Sequence, residues 1–562
     1  MISTKIARGC YEAHEKYWEE LRPELRQLRA AYMTRYWSKN EHPDQVLIET
    51  SRAYEFVEGY VASLFARAPA VVMKGDLRGG GDSDKAKALA NNFLVNIRQQ
   101  LEDATRLALI YPCAFIKLMP NMNPDPFKRV TVAAVAPWDI IVDTDAYDWD
   151  SQKITGHRYY LTLKEAKEKF GNKKFEAHSL VRFLDKGMSD ERGYKSGRAD
   201  ADEDPVFQYV EIVEFYDLQD NKFVVWSPDY KSGDKFLFDG MKIPEGDGEN
   251  LTEISYDQIP FTDPAGNPVS PIVPLYYSRQ PDMPMRGYSA LRRVYDQVQE
   301  TNIIRSYQAS MVRRAARQWV VEAGVFDSEA MAKLAQGVDG EFIEVELSPG
   351  QSLSGSIIAV PHTPLPAELQ NYVQQVQEDF QRGSVLAPFT RGESTRATAT
   401  EITALAAYSS SEVGRLARER DAAIERCAKV YVAMLKVYLH DEQESVVIDG
   451  QPEIISSKDL DGDFSYYAQD MGATPVSEAI KKQEFFASLP MLLQLGVPPE
   501  QILSEIVRFL DLPQDFLSSV PGATGAPSPV TATTTPESVQ SEPMGLTPGQ
   551  TPSPENIARL LP

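Results

Sequence analysis

Apolar positions recur with a helical period most clearly toward the C-terminal side of the chain. From Thr398 to His440 they fall at Ile402, Leu405, Val413, Leu416, Ile424, Cys427, Tyr431, Leu435 and Tyr438 with no proline between, close to the 3.6-residue repeat of an amphipathic helix. Thr398, Thr400 and Glu401 open the stretch. Thr398 and Glu401 have capping-box spacing, in which the hydroxyl and the carboxylate each satisfy a free backbone N–H. A helix of this length spans roughly 64 Å. Ahead of it, Ala367–Gly383 reads as another helix, and Ser384–Ala397 carries Gly, Pro and Arg. The pattern predicts two helices interrupted by a projecting loop.

Upstream, Ala7–Asn40 reads as a charged amphipathic helix with a break or kink at Pro23, and Val46–Ala66 as a second helix stopped by Pro69. Ala70–Met73 reads as a strand, Gly75–Asp84 as a loop and Lys85–Tyr111 as a helix ended by Pro112. The period then switches to two: Ala114–Met119, Val130–Val135, Ile140–Val142 and His157–Leu163 read as short strands. Leu163–Phe170 is a small helix, and Tyr209–Asp217 with Lys222–Trp226 a hairpin. Strand and turn fill Phe236–Pro274. Gly287–Val321 predicts a helix of about 50 Å, with Leu291, Tyr295, Val298, Ile304, Tyr307, Met311, Ala315 and Trp319 on one face and Ser306 on the other. Gly324–Pro361 is mixed, with a helix near Ser328–Gln336 and strands at Glu341–Glu346 and Gly355–Val360. Strands near Ser445–Ile448 and Phe464–Gln469 precede two amphipathic helices, Ser477–Leu495 and Pro499–Leu510. Beyond Pro521 the chain is Pro, Thr, Ser, Gly and Ala, too poor in apolar surface to fold.

Composition narrows the function. The 562 residues carry a formal charge of −23, which speaks against a simple nucleic-acid binder with a basic patch. Cys10, Cys113 and Cys427 lie far apart, against a disulfide framework or a zinc site. The start lacks an export signal, and the longest apolar run, Leu107–Met119, is interrupted by Pro112 and Lys117. A soluble product with no membrane span is expected.

Candidate chemistry is sparse. There is no phosphate-cradling glycine motif, so the chain has no nucleotide motor of its own, and the six histidines lack HExxH spacing. Asp139, Asp143, Asp145, Asp148 and Asp150 lie near strand ends. They read either as turn residues that bond local N–H groups or as Mg²⁺ ligands of a metal-dependent nuclease using Asp139, Asp143 and Asp145. The turn is favoured, because nothing locates the further ligands a two-metal site needs. Asp459, Asp461 and Asp463 start like a calcium loop, but its obligatory glycine is Phe464. Phe389, Arg391 and Arg396 on the projecting loop suit phosphate contact, or equally read as part of a flexible, solvated loop whose charges serve solubility. Arg292, Arg293, Arg305, Arg313, Arg314 and Arg317 give the 287–321 helix a basic bias. They face either DNA or, as we favour in so acidic a chain, neighbouring subunits.

In order and spacing these segments resemble bacteriophage portal proteins, the head-to-tail connectors, most closely those of short-tailed phages. The likeness rests on Val46–Ala66 followed by Pro69–Val72, on Val135–Asp143 (VAPWDIIVD), on His157–Thr162 and on Lys164–Gly171. It continues with Arg286–Leu291 (RGYSAL), Thr398–Ile402 (TATEI), Asp463–Ala468 (DFSYYA) and Lys481–Phe485 (KKQEF), covering most of residues 30–510.

The resemblance implies an α+β subunit with long stem and wing helices, a mixed β wing, a small α/β clip and a helical crown, closing into a dodecameric ring. Residues 1–286 and 398–474 would be wing, 287–322 and 363–383 the stem helices, and 323–362 the clip. Residues 384–397 would be the tunnel loop, 475–520 the crown and 521–562 a disordered tail. The implied role is the channel at a capsid vertex in the virion, assembled in the host cytoplasm, through which double-stranded DNA is packaged and ejected. Implied partners are the terminase large subunit, the major capsid and scaffolding proteins, and head-to-tail adaptor and tail proteins. Phe389, Arg391 and Arg396 would line the channel, and Trp319 and Phe326 would anchor the clip between subunits. No catalytic residue, metal or cofactor is expected.

Overall fold

Helix α1 (Thr4–Tyr32) runs unbroken through Pro23 in the computed structural model. An interior proline removes one backbone hydrogen bond and costs about 3 kcal/mol. Trp18 is buried before it and Leu25 and Leu28 after it. Burial contributes about 1.5–3 kcal/mol per large apolar side chain, enough to hold both halves together, so the expected break is absent. The structure describes residues 2–37, 46–75, 81–123, 125–180, 182–185, 208–231, 235–245, 252–283, 285–315, 319–321, 328–329, 331–332, 357–359, 367–384, 399–439, 443–448 and 451–469. All belong to one unit spanning 1–481.

Helix α2 (Arg52–Leu64) starts six residues later than its apolar pattern begins. Residues 46–50 form no helix, because Ile48 N donates to Ser306 Oγ at 2.8 Å and Thr50 N to Asn302 Oδ1 at 2.9 Å. These side-chain acceptors replace helical carbonyls. Strand β1 (Val71–Gly75) follows, then α3 (Ser83–Asn96), capped by Asp82, and α4 (Arg98–Ile110). The one helix expected over 85–111 is thus two, joined at Ile97, where Arg98 Nη2 donates to Phe65 O at 2.7 Å.

Strands β2 (Ala114–Pro120) and β3 (Val130–Val135) are antiparallel neighbours. β4 (Ile140–Val142), β5 (Ile154–Thr162), β6 (Tyr209–Asp217), β7 (Lys222–Trp226) and β8 (Phe238–Asp239) form a five-stranded antiparallel sheet in chain order. Helix α5 (Leu163–Phe170) leaves β5 through a Thr162–Glu165 capping box. β9 (Met241–Glu245) and β10 (Thr252–Tyr256) pair as a hairpin, and β11 (Ile272–Leu275) completes a three-stranded sheet with β2 at its centre.

Helix α6 (Arg292–Ala315) is shorter at both ends than expected. At its start Gly287 lies against Pro112, where a Cβ would stand 1.7 Å from the carbonyl oxygen. Ser289 Oγ then accepts from Arg292 N at 3.2 Å and donates to Ile110 O at 2.7 Å. At the other end Trp319–Val321 is not helix but strand β12, paired with β13 (Ile357–Ala359). The predicted apolar face holds through Ile304, whereas Tyr307 is 55% exposed and Ser306 is buried. The polar inner face there is what holds residues 46–50.

Helices α7 (Ala367–Ser384) and α8 (Ala399–Leu439) match the interrupted pattern to within a residue or two. Val413, Leu416, Ile424, Cys427, Tyr431, Leu435 and Tyr438 are all buried, and Tyr431 stacks on Phe93 of α3 with ring centres 3.9 Å apart. β14 (Gln443–Ile448) pairs with β15 (Gln451–Ser456), a strand not anticipated. β16 (Phe464–Ala468) returns to pair antiparallel with β1. Residues from α1–α4, the three- and five-stranded sheets and α8 therefore share one apolar core, which makes the unit α+β.

Candidate functional site

Helix α6 and helix α7 run antiparallel. Gly383 lies beside Val294, where a Cβ would meet its methyl at 3.0 Å, and the Tyr372 hydroxyl bonds the Glu300 carboxylate further along. The far ends of the two helices lead into β12 and β13. Their antiparallel pairing brings Val321 opposite Ile357 and so joins the far ends of the two helices.

The near end is rooted in the core. Ser384, 1% exposed, ends α7, and its carbonyl accepts from the Tyr60 hydroxyl of α2. Phe380 is buried with the Arg52 guanidinium 5.2 Å from its ring centre. On the other side of the interruption, Arg420 of α8 donates to Leu64 O at the end of α2 and to Asp421 at 2.6 and 2.8 Å. Arg415 Nη1 donates to Tyr277 O at 2.8 Å, and Thr105 and Tyr277 share a hydrogen bond of 2.9 Å. Burial raises the Tyr277 phenol above its ordinary range, so it stays neutral. Helix α2 thus grips both helices that flank residues 385–398. Nothing in the sequence pattern singled out Tyr60 or Arg420. Their signal was a phenol and a guanidinium on apolar helix faces, where a buried polar group must find a partner.

Phe389, Arg391 and Arg396, proposed for the channel, lie outside the described residues, as do Phe326, Thr398, most of residues 323–362 and everything from 470 onward. Trp319 lies in β12, and Thr400 and Glu401 in the first turns of α8. Of the basic residues on α6, Arg292 pairs within its own chain, with Asp296 at 2.9 Å and Glu24 at 3.5 Å. Arg293 Nη2 donates to Ser278 Oγ at 2.7 Å. Arg305 is exposed.

The aspartate cluster is drawn into local structure. Asp143 Oδ1 accepts from Asp145 N at 3.1 Å, and Asp148 Oδ1 accepts from Ser151 N at 2.8 Å. Asp139 lies 3.3 Å from Arg158 Nε, and Asp150 lies 3.4 Å from Arg426. The bonds of Asp143 and Asp148 are those of turn-forming aspartates, and Asp139 and Asp150 are held in ion pairs with arginines. Asp459 caps Ser456 through its N–H at 2.7 Å, and Asp461 pairs with Lys436 at 2.5 Å. Among the described residues no three His, Cys, Asp or Glu side chains gather as metal ligands. No helix among them is long and apolar enough to cross a membrane.

A second polar cluster went unread in the sequence. Lys117, which interrupts the apolar run Leu107–Met119, is 2% exposed and meets Glu214 and His157 inside the fold. Against the burial that raises it, the Lys117 ammonium draws the Glu214 carboxyl down to about 2. Burial in turn lowers Lys117, which recovers only part of the loss from Glu214. Burial, then the Lys117 charge, holds His157 neutral, well below its ordinary value. Glu214 is therefore a carboxylate at neutral pH, and the ammonium of Lys117 stands 2.5 Å from it as its counter-ion.

No protein-family model and no curated protein matches this chain.

Proposed function

We propose that the chain is a portal-type subunit, one of a ring of identical copies through which a double-stranded viral genome is packaged and later ejected. One observation carries the reading. An antiparallel helix pair, α6 and α7, has its far ends joined by strand pairing. At its near end α7 stops at Ser384, the next described helix, α8, begins at Ala399, and both are fixed to α2. In a ring, such a subunit presents its tip to one set of partners and residues 385–398 to the bore. The tip, with Trp319 and Phe326, is the clip, where the terminase large subunit docks. The body of the unit is the wing that meets capsid and scaffolding proteins, and adaptor and tail proteins attach after packaging.

The electrostatics agree with passage rather than tight binding. Duplex DNA carries one negative charge per about 1.7 Å of axis, and each subunit carries −23. An acidic ring suppresses the counterion-releasing contacts that hold nucleic acid, so the duplex slides. Arg391 and Arg396 supply a few weak phosphate contacts. The chain does no chemistry in this reading, and the motor is another protein.

Native mass spectrometry and end-on micrographs of the purified chain test this. A perforated ring near twelve times 62.9 kDa is expected, and Arg391→Ala with Arg396→Ala leaves the ring intact while impairing DNA retention. A chain that stays monomeric at every concentration and salt overturns the proposal.

A further inference from the structure

The sheet register sets His157 of β5 directly opposite Glu214 of β6, and β2 of the other sheet brings Lys117 onto both. Lys117 Nζ donates to His157 Nδ1 at 2.8 Å and to Glu214 Oε2 at 2.5 Å. Glu214 also accepts from Tyr159 Oη at 2.8 Å and Tyr216 Oη at 3.3 Å. An ammonium has only donors, so Nδ1 of His157 must accept, and the neutral ring carries its proton on Nε2. Nε2 has no hydrogen-bond partner among the described residues.

This cluster lies at the base of a cavity of about 330 Å³. Phe170, Phe223 and Phe238 line it, and the exposed Lys169 and Lys242 stand at its rim. Stability does not account for the arrangement, since a buried ion pair rarely outperforms an apolar pair of the same shape. Lys117 and Glu214 cancel at the base. At the rim, Lys169 Nζ contacts the Tyr159 hydroxyl at 3.3 Å and lies 5.6 Å from the Phe170 ring centre. Lys242 has Glu253 at 3.5 Å as a partial counter-charge. The mouth is thus positive in a strongly acidic chain. The volume is at the small end of ligand sites, large enough for one substituted ring and too small for a dinucleotide.

We propose that this cavity binds a small aromatic anion. The ring lies among Phe170, Phe223 and Phe238, the anionic group meets the ammonium groups of Lys169 and Lys242, and an acceptor at the opposite end of the ring takes the His157 Nε2–H. The site is independent of the channel reading.

Isothermal titration of the full chain with 4-hydroxyphenylacetate tests it, with neutral 4-hydroxyphenylethanol as the paired probe. Saturable binding of the acid is expected. The neutral probe, and the Lys169→Ala/Lys242→Ala variant titrated with the acid, should each bind about tenfold more weakly, as two partly exposed ion contacts imply. Lys164→Ala, on the same helix with its side chain 85% exposed and outside the cavity, should bind like the native chain. No saturable heat with the acid up to about 10 mM, or equal affinity for the neutral probe or in the double variant, overturns the proposal.

Discussion

Replacing Glu214 by Gln isolates the energetic logic of the buried pair. The variant keeps the size and most hydrogen bonds of the carboxylate but strands the Lys117 ammonium, 2% exposed, without a counter-charge. Breaking such a pair from one side costs about 3–5 kcal/mol, whereas replacing both partners by apolar residues of similar volume is often neutral or favourable. Unfolding entropy near 2.1 cal/mol/K per residue makes 1 kcal/mol worth about 1 °C in a unit spanning residues 1–481. Calorimetric melting should therefore fall by about 3–5 °C in Glu214→Gln and recover most of that in Lys117→Met/Glu214→Leu. The pH dependence supplies an independent check. Glu214 is held at about 2 in the fold against an ordinary 4.5, so the folded state binds its proton less readily than the unfolded chain. Its stabilisation is complete above about pH 4.5 and is lost as pH falls toward 2. Glu214→Gln should flatten that acid limb. A single variant as stable as the native chain, or a double variant as damaged as the single one, refutes the reasoning.

Two further substitutions probe the frame around α6. Gly287→Ala drives a methyl into the Pro112 carbonyl at 1.7 Å and should destabilise the unit by roughly 1–3 kcal/mol, read from the same melting transition; an unchanged transition contradicts the close approach. Asn302→Ala removes the acceptor for both Thr50 N and Thr50 Oγ1. A loss of about 1–3 kcal/mol is expected, with faster amide exchange at Thr50 as the diagnostic, and unaltered protection there removes Asn302 from the role.

Local pattern carried the reading of this chain wherever one period ran uninterrupted. Helix α8 was visible nearly to the residue because its apolar stripe never faltered, and the β6–β7 hairpin because Gln219, Asp220 and Asn221 separate two apolar runs. Asn221 there has a positive φ of 49°, as an Asn in a tight turn can. What failed was decided at a distance. Residues 46–50 carry a helical pattern, but Ser306 and Asn302, more than 250 positions later, offer their backbone other acceptors. The apolar pattern of α6 continues through Trp319, but pairing with Ile357–Ala359 claims that end as strand. β15 was hidden by Pro452, which breaks its short run. The Lys117, His157 and Glu214 cluster was beyond any local rule, because two sheets must pack face to face before those three residues meet. Of the candidate site, the end of α7 and the start of α8 were legible, and the anchoring of the two helices by Tyr60 and Arg420 was not.

The pairing of β1 with β16 has a temporal side. About 390 residues separate the two strands, and a ribosome adding 5–20 residues per second needs about 20–80 s to cover that distance. Throughout that interval β1 exists as an open edge on a nascent body, a template that another chain could occupy. The two helices and their tip emerge meanwhile from a frame that has not yet closed. Strand β16 is therefore a latch, and a transcript cut short before Phe464 leaves a polypeptide with β1 unpaired.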